Sequence, residues 1–414
     1  MAVDRNSLKI AYIFVQFPKI TETFNLREML KLQEYGVALE VFSLLTPAKT
    51  EVVHPEAQPL TSRTHYSPWL LSLRLWQTNL RFLLTRPTLY LGSLTQVLGH
   101  TLTDPLLLVK TIGTFFKSAY FAQLCVERGV EHIHATFAAH NTTAALIISR
   151  LTGIAYSFTI DAYDLYVETS LLQLKLERAD FVTTISKYNL EVIRQRYGKP
   201  LQEKTHCIYR GIDLKRHAPP EQAPELTRPF TLICVASLNI KKGHRFLFEA
   251  VAELHGQGRA LRCVIAGDGP LRKELMGLAE QLGIANEIEF AGDLTQEQVI
   301  SRLQQADCCV LPSIIGPGNR MEGIPNALME AMACELPVVS TRISGIPELV
   351  EEHRCGLLVE PEDSSELADA IAWLQDHPEQ RRLFGKAGRE KVRREFNIEV
   401  NIEKLWKLYR QSVP

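Results

Sequence analysis

The feature that most constrains this chain is a repeated alternation of short apolar runs with longer amphipathic stretches. In the first half KIAYIFV, VALEVFSL, HIHATF, AYSFTI and FVTTIS are too short for helices and rich in β-branched and aromatic residues, so they read as strands. Helical spacing follows at residues 22–35, 139–151 and 187–197. Strands alternating with helices make a parallel sheet covered on both faces, the doubly wound α/β arrangement.

Residues 216–229, RHAPPEQAPELTRP, interrupt the pattern with four prolines and no apolar periodicity, as a linker or surface loop does. A second series then begins. TLICVAS, LRCVIAG, EIEFAG, DCCVLP, LPVVST and GLLVEP alternate with helical stretches near 242–257, 270–283, 295–304, 326–333 and 363–376. The chain therefore reads as α/β with two Rossmann-like halves. A ligand is expected at the carboxyl ends of the strands, in a cleft between the halves.

Composition narrows the function. With 414 residues, 46% apolar and 22% charged, the chain has material for two buried sheets. A net charge of -1 argues against a globally basic nucleic-acid binder and leaves local patches open. The eight cysteines include no C-x-x-C pair and fall mostly in strand-like runs, which reads as reduced core residues in a reducing compartment rather than disulfides or zinc ligands. The N-terminus moves within a few residues into KIAYIFV, so no signal peptide is expected ahead of it, and no segment has eighteen uncharged apolar residues in succession. The expected location is cytoplasmic.

Residues 67–120 resist this scheme. They are rich in Leu, Phe, Trp and Tyr and carry Arg74, Arg81, Arg86, Lys110 and Lys117 against Asp104 alone. Such helices either cover the first sheet with their cations in water, or lie on an anionic membrane surface, apolar side down, which would make the protein peripheral on the inner face of the plasma membrane.

Residues 319–333 read NRMEGIPNALMEAMA. Pro325 suits the first turn of a helix, where its missing N–H costs nothing, and NALMEAMA behind it is a good helix former. The amides of Asn326, Ala327 and Leu328 are then expected to lack intrahelical partners. Gly323 permits close approach, so this helix start suits a phosphate or diphosphate. Carboxylates repel phosphate, so Glu322, ahead of the helix, and Glu330, inside it, are expected to serve uncharged hydroxyls of a sugar and a ribose. The spacing alone also fits two solvated glutamates; the flanking Gly-Ile-Pro and the second α/β series favour a nucleotide-sugar diphosphate.

The stretch GNRMEGIPNALMEAMACELPVVSTRISGIPELV resembles the donor-site signature of family 4 glycosyltransferases of the GT-B fold, particularly the bacterial exopolysaccharide and colanic-acid branch. PKITETFNLREMLKL near the start, SFTIDAYDLY at 157–166, CIYRGID at 207–213, IKKGH at 240–244 and AGDGPLRKEL at 266–275 follow in that family's order. The resemblance implies an acceptor-binding domain, 1–205, with the C-terminal helix 396–414 packing back on it, and a donor-binding domain, 206–395. It implies that Glu322 contacts the donor sugar, Glu330 the ribose and Lys242 the diphosphate. Gly323, Ile324, Pro325, Asn326 and Ala327 would line the sugar and phosphate pocket, and the base would lie near Gly292, Asp293 and Leu294. Implied acceptor contacts are Thr21 and Glu22, joined by His134 and His140 of HATFAAHNTT, although a lone histidine is as readily structural. Members of the family retain anomeric configuration and usually need no bound metal, so the resemblance implies retention, no metal and no cofactor beyond the UDP- or GDP-linked donor.

Two positions depart from the family. Asp161 stands where histidine is common; it is expected to face sugar or acceptor hydroxyls as the third catalytic residue with Glu322 and Lys242, or else to cap its loop. Ser237 stands where arginine is common, which removes a diphosphate partner that Arg320, Arg210 or Arg245 would replace. The expected function is transfer of a sugar to a lipid-linked saccharide or glycolipid. A soluble enzyme acting on a small metabolite, an epimerase or phosphorylase, and a nucleotide-sugar binder with weak or no transfer are the alternatives.

Overall fold

Each of the two apolar series forms one parallel sheet. The structure is a computed structural model and describes residues 8–19, 22–48, 55–102, 104–167, 169–220 and 229–413. Thr21 and residues 221–228 of the proline-rich break lie outside the described residues. The chain divides into two compact units, Met1–Ile185 with Asn189–Ile208 and Ile402–Pro414, and Ser186–Tyr188 with Tyr209–Asn401.

In the first unit the strands are β1 (Lys9–Gln16), β2 (Ala38–Leu45), β3 (Thr64–Tyr66), β4 (His132–Ala135), β5 (Ala155–Ile160), β6 (Phe181–Thr184) and β7 (Thr205–Cys207), in the order β3-β2-β1-β4-β5-β6-β7. The sequence pattern missed β3 and β7, which are three-residue edge strands, THY and THC, with no apolar run to announce them. Tyr12, Phe14, Phe42, Tyr156 and Phe158 are fully buried and fill the core. The helix Ile398–Ser412 belongs to this unit from Ile402 onward. Its Tyr409 is buried with its ring centroid 5.4 Å from that of His132 and 5.6 Å from that of His134, and its hydroxyl lies 3.0 Å from that of Tyr12.

Residues 67–120 fold into the helices Leu73–Thr85 and Pro87–Gly99 and most of a third, Pro105–Glu127. Their inner sides bury Leu75, Tyr90, Val97, Phe115 and Phe121. Two of the cations turn inward: Lys117 Nζ donates to the Leu44 carbonyl at 2.6 Å and Arg86 to that of Leu151 at 2.8 Å. Core covering thus accounts for one side of these helices. The other side exposes Leu73 at 71% and Leu84 at 72%, and Leu71, in the turn just ahead of the first helix, is 94% exposed.

The second unit contains β8 (Phe230–Val235), β9 (Leu261–Ala266), β10 (Ile288–Gly292), β11 (Cys308–Leu311), β12 (Val338–Thr341) and β13 (Gly356–Val359), in the order β10-β9-β8-β11-β12-β13. Helices cover the sheet, among them His244–Gly256, Asn326–Ala333 and Ser364–Asp376, close to the sequence expectation. Pro378–Glu395 went unforeseen because its PEQRRLFGKAGREKVRRE is mostly charged and buries only Phe384, Gly385, Gly388 and Val392. All eight cysteines are free, and all but Cys207 are buried.

Candidate functional site

β8 and β11 are neighbours in the second sheet, but the chain leaves them in opposite directions, from β8 to β9 on one side and from β11 to β12 on the other. Loops diverge at the carboxyl ends of such a pair, and ligands of open α/β sheets bind there. The sequence-expected residues Ser237, Lys242, Arg320, Glu322 and 323–325 lie on the two loops that leave these strands, and Asn326 and Ala327 begin the helix that follows the second loop.

The loop after β8 makes one 3₁₀ turn, Ile240–Lys242, and enters the helix His244–Gly256 through Gly243 at φ +68. The loop after β11 begins at Pro312. The amide of Ile314 donates to the Lys241 carbonyl at 2.9 Å, and Gly316 and Arg320 pair through both backbone bonds at 2.8 and 3.3 Å. The two loops are therefore tied together, and the tie sets the lysines against Glu322.

Glu322 Oε1 lies 2.6 Å from Lys241 Nζ and Oε2 3.0 Å from Lys242 Nζ; the three side chains are 11%, 35% and 14% exposed. Burial by itself would raise the Glu322 carboxyl, but the charges of Lys242 and Lys241, with their hydrogen bonds, outweigh it and hold the group below the usual range. The carboxylate faces two ammonium groups, one of them the expected diphosphate cation, a pairing the sequence reading did not include. Lys241 was missed in the sequence, although its place beside Lys242 in IKKGH was the available signal.

The helix Asn326–Ala333 starts as foreseen, but Pro325 takes the N-cap position rather than the first turn. The amide of Leu328 is used, donating to the Pro325 carbonyl at 3.2 Å, which corrects the expectation of three open amides. Those of Asn326 and Ala327 have no backbone partner among the described residues, as the first turn of a helix dictates. Asn326 is exposed, Gly323 and Ala327 are half-buried, and Ile324 and Pro325 are buried. Glu330 Oε1 stands 4.0 Å from Nε2 of the buried His217, a residue the sequence reading passed over in the proline-rich break.

Gly292 ends β10 at φ +70, and its carbonyl accepts from the Gly267 amide at 2.8 Å; Asp293 is exposed and Leu294 half-buried. Ser237 is exposed and its hydroxyl accepts from Asn239 Nδ2 at 2.7 Å. Of the cations proposed to replace the missing arginine, Arg245 is paired with Glu249 at 2.8 Å and Arg320 is exposed. Lys241, which the sequence argument did not weigh, stands 2.6 Å from Glu322.

Over 415 residues the chain is 31% identical to the putative colanic acid biosynthesis glycosyltransferase WcaL of Escherichia coli, an alignment covering 95% of this chain and 97% of that one. Residues 217–391 match the family described as glycosyl transferases group 1. The chain belongs to the group 1 glycosyltransferases. A second relative, the GDP-mannose-dependent alpha-(1-6)-phosphatidylinositol monomannoside mannosyltransferase of Mycobacterium tuberculosis, is 27% identical over 267 residues, 62% of this chain and 68% of that one. Among solved structures, Anabaena Alr3699/HepE in complex with UDP matches with a TM-score of 0.72 at 16% identity, covering 98% of this chain and 100% of that one. The fold of this group 1 glycosyltransferase is GT-B, as the sequence led us to expect.

The first unit of the glycosyltransferase sets Glu22, His140 and Asp161 after the carboxyl ends of β1, β4 and β5, which are adjacent strands. Glu22 pairs with Lys19 at 3.1 Å ahead of the helix Thr23–Glu34. His140 is the half-buried first residue of the helix His140–Thr152. Asp161 takes the N-cap position of the short helix Ala162–Tyr166, and its amide donates to Asp164 Oδ2 at 3.1 Å. His134 does not face an acceptor. It is fully buried, with Nδ1 2.9 Å from the Ser157 hydroxyl and Nε2 3.2 Å from that of Thr159, and burial, with His132 beside it, pushes its imidazole down to about 3. It is a structural histidine. Among the described residues no group of three or more His, Cys, Asp or Glu is placed to hold a metal ion, and no helix is long and apolar enough to cross a membrane.

Proposed function

We propose that this group 1 glycosyltransferase moves a sugar, with retention of anomeric configuration and without a resident metal or cofactor, from a UDP- or GDP-linked donor to a lipid-linked saccharide or glycolipid in polysaccharide or glycolipid biosynthesis. The observation that carries the reading is the meeting of Lys242, Glu322 and the start of the helix Asn326–Ala333 on the loops after β8 and β11. The diphosphate takes Lys242 and the amides of Asn326 and Ala327, the sugar takes Glu322 with Gly323 and Ile324, and the ribose takes Glu330. The base lies toward Gly292, Asp293 and Leu294. Names among the relatives support the rest: WcaL is named as a putative colanic acid biosynthesis glycosyltransferase, the mycobacterial relative as a GDP-mannose-dependent phosphatidylinositol monomannoside mannosyltransferase, and HepE was solved in complex with UDP.

In the reaction the bond between the anomeric carbon and the diphosphate oxygen breaks, and its electron pair stays on the diphosphate. The acceptor oxygen bonds to the anomeric carbon on the same face, and its proton passes to the departing phosphate. Charge therefore builds on the diphosphate in the transition state, and fixed cations and amides aimed at it lower the barrier by about 3 kcal/mol for each well-placed donor. Glu22, His140 and Asp161 are assigned to the acceptor side.

The exposed stripe Leu73, Trp76, Leu80 and Leu84, with Trp69, Leu71, Leu106 and Val109 near it in the sequence, is assigned to an anionic membrane surface on the cytoplasmic side, Arg74, Arg81 and Lys110 meeting the headgroups. The test of the whole reading is incubation with UDP- and GDP-linked sugars and a lipid-linked saccharide, with the product's anomeric configuration read by NMR. A retained glycosidic product supports it. Bound nucleotide sugar that is never transferred to any acceptor, or an inverted product, contradicts it.

A further inference from the structure

A second consequence of the Lys241–Glu322–Lys242 cluster rests on the donor reading above. Both lysines already hold an anion, the Glu322 carboxylate, at 2.6 and 3.0 Å, in a place where that carboxylate is only 11% exposed. A diphosphate that takes the lysines must displace it, and a displaced carboxylate so little hydrated then faces a second anion of its own sign. A donor whose sugar hydroxyls donate to Glu322 compensates the carboxylate for the lost lysines. A bare nucleoside diphosphate, which ends where the sugar began, does not.

We propose that Glu322 is an internal competitor for the lysine pair, and that Lys241 is the second cation of the diphosphate site. The geometry then discriminates between substrate and product through one side chain. The intact nucleotide sugar binds because it satisfies Glu322, and after transfer the carboxylate returns to Lys241 and Lys242 and drives the nucleoside diphosphate out. The backbone bond from Ile314 to the Lys241 carbonyl holds the main chain of Lys241 against the loop after β11.

The test is calorimetric titration of UDP, GDP and inorganic pyrophosphate into the wild-type chain, Glu322→Gln and Lys241→Met. Glutamine keeps the shape and removes the charge. Glu322→Gln is expected to bind the preferred nucleoside diphosphate, and pyrophosphate, about tenfold more tightly than wild type, a gain that loss of a merely structural group does not produce. Lys241→Met is expected to bind them about tenfold more weakly, and it carries the proposal should the glutamine variant fail to fold. If the wild type binds a nucleoside diphosphate and Glu322→Gln binds it no more tightly, or Lys241→Met binds it equally well, the competition is overturned while the donor reading stands. If the wild type, both variants and UDP- or GDP-linked sugars together give no binding at all, the donor reading itself fails and takes this inference with it.

Discussion

The α-carbon of Gly243 faces the carbonyl oxygen of Pro312 so closely that a Cβ there would lie 1.8 Å away. Gly243 also has φ +68, a region that L side chains adopt at a cost. This contact clamps the loop after β8 onto the loop after β11 and so sets the distance between the lysines and Glu322. Gly243→Ala is expected to destabilise the chain by about 2 kcal/mol or more and to weaken nucleotide binding. Gly277 provides the contrast: it lies inside the helix Arg272–Gln281 with nothing within 4 Å of an added Cβ. Gly277→Ala is expected to stabilise by about 0.5–1 kcal/mol. Thermal melts of the two variants read both signs.

Lys242 is the expected main cation at the leaving diphosphate. Lys242→Ala is expected to lower kcat by roughly 100-fold, matching about 3 kcal/mol of lost transition-state stabilisation, with a smaller effect on nucleotide affinity. Steady-state kinetics with the cognate donor decide it; an unchanged kcat removes Lys242 from the mechanism.

In the first unit Asp164 accepts the amides of Ala138 and Asp161 at 3.0 and 3.1 Å. Burial, then the neighbouring Asp161 charge, push its carboxyl up to about 7 despite those bonds and Lys175. An unfolded aspartate releases its proton near pH 4 and the folded one near 7, so between those values the folded chain holds a proton that the unfolded chain has lost. The contribution of this group to stability therefore falls as pH rises through that window, by up to about 4 kcal/mol at about 1.4 kcal/mol for each pH unit. Asp164→Asn abolishes the titration, so its Tm relative to wild type is expected to climb from about pH 4.5 to about pH 7.5. A difference that stays flat with pH contradicts the assignment.

Much of this was legible in the sequence. The six strands of the second sheet and the helix at Asn326 follow from apolar runs and a Gly-Ile-Pro start, because a buried parallel strand and a helix N-terminus each impose a local pattern. The same logic explains the misses. Three-residue edge strands bury too little to show a run, and Pro378–Glu395 buries a stripe too narrow to stand out from its charges. At the site, the helix start singled out Glu322 and the family resemblance Lys242, but their mutual pairing, the position of Lys241 beside them and the burial of His134 depend on how separate loops and strands meet, which no local pattern encodes.

The apolar outer side of residues 67–120 makes a prediction about surfaces. The chain is expected to co-sediment with vesicles containing anionic lipid and to be released by salt, since the attraction is partly electrostatic. Leu71→Glu with Leu84→Glu changes two side chains that are 94% and 72% exposed, so it leaves folding intact. Binding is expected to drop about tenfold. Equal sedimentation of the double variant and wild type contradicts the assignment.

The most direct test of the central claim is a crystal structure of the chain with UDP or GDP. The account predicts the terminal phosphate within hydrogen-bonding distance of the Asn326 and Ala327 amides and of Lys242 Nζ. A nucleotide bound elsewhere, with that helix start facing bulk solvent, contradicts it.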